Sequence, residues 1–131
     1  EGGYAVRVRL KRSPSFPEDV QAFLTLKGPR DEANPYMRYE VEQLIDPGHA
    51  EVIIQKAQYF VIKKRYVVIS REMTFEVDLF LGKNEGLVIA EFEGSPKAVA
   101  QMSLPWFASE EVTQDKRYAN DQLAMQPYSE W

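Results

Sequence analysis

Alternation of apolar and charged side chains with a period of two is the feature that most restricts the fold of this sequence. In residues 4–10, Arg7 and Arg9 alternate with apolar side chains. Because successive side chains of a β-strand point to opposite faces, this pattern predicts a strand with one apolar and one charged face. Strand patterns also occur in residues 22–27, 36–44, 59–69, 74–81 and 87–93. The sequence therefore predicts six strands.

Helices are predicted at three places between and after these strands. Asp46 is a good N-cap and Pro47 is tolerated at the first helical position, which predicts a helix that ends near Lys56. Its apolar stripe is expected at Val52, Ile53 and Ala57. Residues 96–102 and 117–125 predict two more helices, and residues 82–86 predict a hairpin-type connection. An order of strands, helix, strands, helices favours an α+β fold with a mainly antiparallel sheet.

Composition excludes several classes of function. The chain has 16 Lys and Arg against 20 Asp and Glu, and a net charge of −4 argues against general nucleic-acid binding. The absence of Cys excludes disulfides and thiolate metal sites. Its single His, His49, leaves little material for a multi-His metal site and is expected on an exposed helical turn. No apolar run is long enough for a transmembrane helix.

Charges of like sign occur in pairs two residues apart, on the same face of a predicted strand. These pairs are Arg7 with Arg9, Lys63 with Arg65, Glu40 with Glu42, Glu76 with Asp78, and Glu91 with Glu93. Any single pair is compatible with an ordinary sheet face in water. Together, the basic pairs suit phosphate oxygens and the carboxylate pairs suit a hard cation, so the pattern favours a metal–polyphosphate complex as ligand. The alternation of side chains alone does not distinguish an open sheet with a solvent-exposed charged face from a closed barrel lined by these charges.

Eight motifs follow one another along nearly the whole chain. They are R-x-R at residues 7–9, T-x-K-G at 25–28, R-x-E-x-E at 38–42, K-x-R-Y at 63–66, E-V-D-x-F at 76–80, G-L-x-x-A-E-x-E at 86–93, L-P-W at 104–106 and the closing segment at 111–120. In order and spacing they resemble the CYTH superfamily, the triphosphate tunnel metalloenzymes. The resemblance implies an antiparallel β-barrel or tunnel, typically of eight strands, with flanking helices.

The same resemblance implies an activity and the residues that carry it. The expected activity is metal-dependent hydrolysis of a triphosphate-containing substrate, with Mg²⁺ or Mn²⁺ as cofactor. The residues implied to bind phosphate are Arg7, Arg9, Lys27, Arg38, Lys63 and Arg65, of which Lys63 and Arg65 are also implied to be catalytic. The implied metal ligands are Glu40, Glu42, Asp78, Glu91 and Glu93. A cytoplasmic protein, a monomer or homodimer without nucleic-acid or membrane partners, is expected.

One departure from the family pattern leaves alternatives open. The E-x-E-x-K strand that the family places before its R-x-R strand has no counterpart in this sequence, so residues 1–131 are expected to form a single CYTH-like domain that lacks this strand and its helix. Inorganic triphosphatase is the first hypothesis, with inorganic triphosphate, ATP or thiamine triphosphate as candidate substrates. An adenylate cyclase or a thiamine- or nucleoside-triphosphate-processing member is the alternative enzyme. A non-catalytic module that binds polyphosphate or nucleotide is the alternative that the missing strand favours.

Aromatic and polar residues near the end of the chain allow general predictions about packing and capping. Trp106 and Phe107 are expected to be core or staple residues rather than a platform for base stacking. Arg117, Tyr118 and Asn120 lie at the start of the predicted terminal helix. Two roles stay open for these three residues, capping and packing or a role at the mouth of the tunnel.

Overall fold

Two compact units, Glu1–Gln58 and Tyr59–Trp131, make up the chain in a computed structural model. The structure describes residues 3–30, 33 and 38–131, except for the side chains of Arg30 and Arg38. Each unit contains one three-stranded sheet in which neighbouring strands are antiparallel. The prediction of an α+β fold with antiparallel sheets is confirmed at this level.

The first unit is a sheet with one helix. Its strands β1 (Ala5–Arg12), β2 (Val20–Arg30) and β3 (Arg38–Ile45) pair in chain order. Residues 36 and 37 of the predicted third strand lie outside the described residues. The register shifts after Lys27, where a Cβ on Gly28 would lie 3.4 Å from the Tyr39 Cβ. A side chain at this position would be in ordinary van der Waals contact with Tyr39.

Helix α1 (Pro47–Gln55) begins as predicted, because Asp46 accepts hydrogen bonds from the backbone N–H groups of Gly48 at 2.8 Å and His49 at 3.2 Å. His49 is exposed, as expected. The expected apolar stripe is wrong, since Val52 and Ile53 are exposed and Ala50 is the buried residue. The helix instead presents the face that contains Ala50 and Glu51 to β1, where Glu51 pairs with Arg12.

The second unit begins with a sheet of three strands. They are β4 (Ile62–Ser70), β5 (Met73–Leu81) and β6 (Val88–Phe92), paired in chain order. A two-residue turn joins β4 to β5, with Arg71 and Glu72 at φ values of 49° and 64°. The predicted connection between β5 and β6 contains a single 3₁₀ turn (Gly82–Asn84), and Gly82 and Gly86 adopt positive φ.

Short helices follow the second sheet. Helix α2 (Pro96–Gln101) is capped by Ser95, which accepts a hydrogen bond from the Ala98 N–H at 3.2 Å. The predicted continuous helix over residues 117–125 is wrong: a 3₁₀ turn (Lys116–Tyr118) ends before Ala119, and α3 (Asn120–Met125) starts after it. Asp115 caps the start of this turn by accepting a hydrogen bond from the Arg117 N–H, and the extended backbone of Ala119 separates the turn from α3.

Apolar side chains of the second unit pack on both faces of β5. Phe80, Leu87 and Leu123 form a buried cluster on one face. On the other face, the Phe75 ring lies 5.3 Å from the ring of Phe107, centroid to centroid. Phe107 therefore packs as expected, whereas Trp106 is not a core residue, because it is 84% exposed and contacts the edge of this cluster through the Phe107 ring at 5.7 Å. A Tyr128–Glu130 3₁₀ turn follows α3.

Within the described residues, none of the helices has both the length and the apolar character needed to cross a bilayer.

Candidate active site

Thr25 lies at the centre of the charged face of the first sheet. It pairs with Arg7 of β1 on one side and with Glu42 of β3 on the other. Its buried hydroxyl donates a hydrogen bond to Glu42 Oε2 at 2.7 Å and accepts one from Arg7 Nη2 at 3.4 Å. Glu42 also pairs with Arg7 at 3.4 Å and with Arg9 at 3.3 Å. One carboxylate therefore serves two arginines that belong to the same strand.

The electrostatics of this cluster keep Glu42 ionised. The hydrogen bond from Thr25, together with the positive charges of Arg9 and Arg7, holds the pKa of Glu42 below its usual range despite some desolvation. Within the described part of the chain, the buried Nε atoms of Arg7 and Arg9 have no hydrogen-bond partner. Each guanidinium has five N–H donors, so both arginines retain donor capacity for an anionic ligand.

Lys27 and Glu40 extend the same face toward the end of β2. They are directly opposite each other in the register, and Lys27 Nζ lies 3.3 Å from Glu40 Oε2. Five of the predicted site residues of the first unit thus share one sheet face: Arg7, Arg9, Lys27, Glu40 and Glu42. The sixth, Arg38, begins β3, but its side chain lies outside the described residues.

Asp78 occupies the equivalent central position in the second sheet, and its side chain is only 1% exposed. Arg65 of the neighbouring strand β4 donates from Nε to Oδ1 at 2.6 Å and from Nη2 to Oδ2 at 2.7 Å. This is the paired fork geometry that suits guanidinium and carboxylate groups. Lys63, two residues earlier on β4, donates from Nζ to Oδ2 at 2.5 Å.

Asp78 is ionised in this arrangement. Burial by itself raises the pKa of Asp78, but hydrogen bonds from Arg65 and Lys63 and their charges outweigh burial, so the pKa lies below its usual range. The hydrogen bonds with Asp78 in turn raise the pKa of Arg65. A buried carboxylate bound to two cations therefore persists at neutral pH and fixes the positions of both cationic side chains.

Two further carboxylates lie beside Arg65. Glu76 and Glu91 lie directly opposite each other on β5 and β6, an arrangement in which like charges repel. Arg65 pairs with Glu76 and lies 3.5 Å from Glu91 Oε2, which offsets this repulsion. Glu93 is exposed and follows the last residue of β6.

Sequence reasoning did not assign a role to Thr25, and it left the role of Asn120 open. Asn120 of α3 accepts a hydrogen bond from Lys63 Nζ at 3.2 Å. Thr25 could have been found from its spacing, since it lies two residues before Lys27 and therefore on the same strand face. No comparable signal exists for Asn120, because it is 57 residues from Lys63 along the chain.

The chain resembles proteins of known activity. No family model matches it. A relative from Acetivibrio thermocellus, named inorganic triphosphatase, is 41% identical over 110 residues, which are 82% of this chain and 68% of the relative. The chain belongs to the inorganic triphosphatase family. A second member, from Nitrosomonas europaea, is 31% identical over 125 residues, or 92% of this chain and 76% of that protein.

A solved structure agrees with this family assignment. The crystal structure of an inorganic triphosphatase matches with a TM-score of 0.63 and 28% identity, over 95% of this chain and 82% of that one. These relatives support the CYTH-like triphosphatase resemblance that the motifs indicate.

In the part of the chain that the structure describes, the carboxylates do not form a complete metal site. No group of three or more His, Cys, Asp or Glu side chains there is placed to share one metal ion. Most of the carboxylates that were predicted as metal ligands instead pair with a cation of their own sheet, as described above for Glu40, Glu42, Asp78 and Glu91.

Proposed function

We propose that this protein hydrolyses inorganic triphosphate with the help of a divalent cation. The observation that carries the proposal is the 41% identity over 110 residues to a relative named inorganic triphosphatase. The chemistry of the strands supports it, because each sheet presents Arg or Lys side chains beside carboxylates on one face. Such cations match phosphate oxygens in charge and hydrogen-bonding geometry.

The two sheets contribute different kinds of cation to this proposal. In the first sheet, Arg7, Arg9 and Lys27 form ion pairs of 3.3–3.4 Å with partly exposed carboxylates. Exposed pairs of this kind contribute little stability, so phosphate oxygens can replace the carboxylates at low cost. Arg38 joins this group as a predicted phosphate ligand.

In the second sheet, Lys63 and Arg65 are bound to the buried Asp78 and keep this partner when a ligand arrives. Their remaining N–H groups are then held in place without reorganisation. Positive groups that are fixed in advance are well suited to stabilise the charge that spreads over phosphate oxygens during hydrolysis. This is the basis for the proposed catalytic role of Lys63 and Arg65.

Mg²⁺ or Mn²⁺ is the proposed cofactor, and the donor set fits such an ion. Carboxylate oxygens are the ligands that hard cations prefer. Glu91 and Glu93 are the favoured ligands, with Glu40 and Glu42 as further candidates, whereas Asp78 already accepts three hydrogen bonds from Lys63 and Arg65. A bound divalent ion would neutralise phosphate charge and make an attacking water more acidic.

The closed antiparallel tunnel belongs to the same proposal, and the TM-score of 0.63 to an inorganic triphosphatase supports it. A single domain, a cytoplasmic location and a monomeric or homodimeric state stay predictions.

Phosphate release from a panel of substrates tests the proposed function. Inorganic triphosphate, ATP and thiamine triphosphate are each incubated with the protein in Mg²⁺, Mn²⁺ or EDTA. We expect metal-dependent release, fastest from inorganic triphosphate and absent in EDTA. Formation of cyclic AMP from ATP would favour the cyclase alternative. Triphosphate binding without release in either metal would favour the non-catalytic binding module.

A further inference from the structure

The ammonium group of Lys63 has three distinct neighbours. Its Nζ donates hydrogen bonds to Asp78 Oδ2 at 2.5 Å and to Asn120 Oδ1 at 3.2 Å, and it lies 5.5 Å from the centroid of the Phe80 ring. A lysine ammonium has three N–H donors. Among the described residues two acceptors take two of these donors, and one donor is left for a ligand.

Asn120 has a fixed position because α3 is anchored on both sides. Leu123, three residues later, is completely buried in the cluster with Phe80 and Leu87. Asn84, 2% exposed, donates from Nδ2 to the Leu123 carbonyl at 3.2 Å and accepts a hydrogen bond from the Tyr128 N–H at 2.8 Å. These contacts fix the first turn of α3 and with it the Asn120 amide.

The Asn120 side chain does not serve as the cap of its own helix. The N-cap residue is Ala119, and no side chain makes a capping hydrogen bond there. Because an ammonium group has only donors, the amide must turn its oxygen toward Lys63. A neutral acceptor orients the lysine without adding a negative charge beside a site that binds an anion, which an aspartate would do.

We propose that Asn120 is a positioning residue that, together with Asp78, orients the Lys63 ammonium toward a phosphate oxygen of the substrate. The part that concerns the substrate rests on the proposed function. The part that concerns the orientation of Lys63 can be measured in the protein without substrate.

Competitive acylation of lysines, followed by mass spectrometry, tests this arrangement, because hydrogen bonds that hold the ammonium lower the reactivity of the amine. Lys64 is the internal reference, because it is adjacent in sequence but lies on the opposite strand face. In Asn120→Ala we expect acylation of Lys63 relative to Lys64 to rise about threefold or more, since one hydrogen bond to the ammonium is lost. Asn120→Asp keeps an acceptor and should stay at or below the wild-type value. Gln122→Ala, an exposed position of the same helix, is the matched control and should change nothing.

Steady-state kinetics with inorganic triphosphate tests the second part. Asn120→Ala should raise KM about three- to tenfold, the scale of one ordinary hydrogen bond, because Asp78 still binds Lys63, with a smaller change in kcat. Asn120→Asp should also raise KM, because the added negative charge repels the substrate although Lys63 stays oriented. A solely structural role would instead lower kcat and thermal stability together in both variants.

The outcomes separate the two proposals. Unchanged acylation of Lys63 in Asn120→Ala refutes the positioning role, whatever the activity. Increased acylation in a protein whose wild type neither binds nor hydrolyses triphosphate refutes the proposed function instead. Asn120→Ser replaces Asn120→Ala in both measurements if the alanine variant does not fold.

Discussion

Replacing Asp78 by Asn tests whether the buried carboxylate is what stabilises the second sheet. The substitution keeps the shape of the side chain and removes its charge, so Lys63 and Arg65 lose their common anionic partner. Asp78 accepts three hydrogen bonds, at 2.5, 2.6 and 2.7 Å. At about 1.5–3 kcal/mol for each hydrogen bond to a charged group, their sum sets an upper limit of about 4.5–9 kcal/mol.

The net loss is smaller than this limit for two reasons. Asparagine retains one side-chain acceptor, and the Lys63 and Arg65 side chains are 24% and 35% exposed, so water can replace part of the lost interaction. Removing one partner of a buried ion pair costs about 3–5 kcal/mol. We therefore expect Asp78→Asn to lower the free energy of unfolding by about 3 kcal/mol, with a fall in Tm of about 10 °C.

Urea unfolding followed by circular dichroism measures this difference, with Glu76→Gln as the matched control. Glu76 pairs with the same Arg65, but its side chain is 41% exposed, so its replacement should cost no more than about 1 kcal/mol. Equal losses in the two variants would show that burial of the carboxylate does not determine its contribution, and the reasoning would be refuted.

Acid provides a second check on the same residue. Because the pKa of Asp78 is lower in the folded protein than its ordinary value of 3.8, its ionisation stabilises the fold fully above that value. The contribution is lost as the pH falls below 3.8 toward the pKa of the folded state. The difference in unfolding free energy between wild type and Asp78→Asn should therefore shrink in this acidic range, and an unchanged difference would contradict the assignment.

Three other expected results follow from the site and the turns. Glu93→Gln should lower Mn²⁺-dependent triphosphatase activity by about 100-fold, while triphosphate binding without metal stays equal or improves. Near-normal turnover at saturating Mn²⁺ would show that Glu93 does not bind the ion. Inorganic triphosphate at 100 times its Kd should stabilise the protein by about 2.7 kcal/mol in a thermal melt without metal. An effect no larger than that of sulfate would argue against a specific phosphate site. Replacing Arg71 and Glu72 by Asn and Gly should raise the unfolding free energy by about 1 kcal/mol, because both residues have positive φ; a loss of stability in urea would contradict this expectation.

The sequence was sufficient to predict the strands and their charged faces, because the period of two is a property of each strand by itself. It could not show how the charges neutralise one another, which depends on register. Arg7 and Arg9 repel each other along β1, yet both pair with Glu42 of β3, two strands away. Lys63 and Arg65 likewise share Asp78 across β4 and β5.

Helix faces and helix ends were harder to predict, for related reasons. Val52 and Ile53 have the apolar character of a buried stripe, but the face of α1 that meets the sheet is the one that contains Ala50. Residues 117–125 have no proline or glycine to mark the interruption at Ala119. The Asp115 side chain caps a short 3₁₀ turn, Ala119 is extended, and Asn120 then begins a new helix.

The hydrogen bonds of Asn84 have a consequence for the order of folding. The strand pairs of the second sheet are joined by short connections, whereas Asn84 bonds to residues 39 and 44 positions away, and Lys63 bonds to Asn120 over 57 positions. Contacts that close long loops lose more chain entropy and form later than neighbouring hairpins. We expect the hairpins to form first and the C-terminal segment to dock afterwards, so that Lys63 acquires its amide partner only in the final stage of folding.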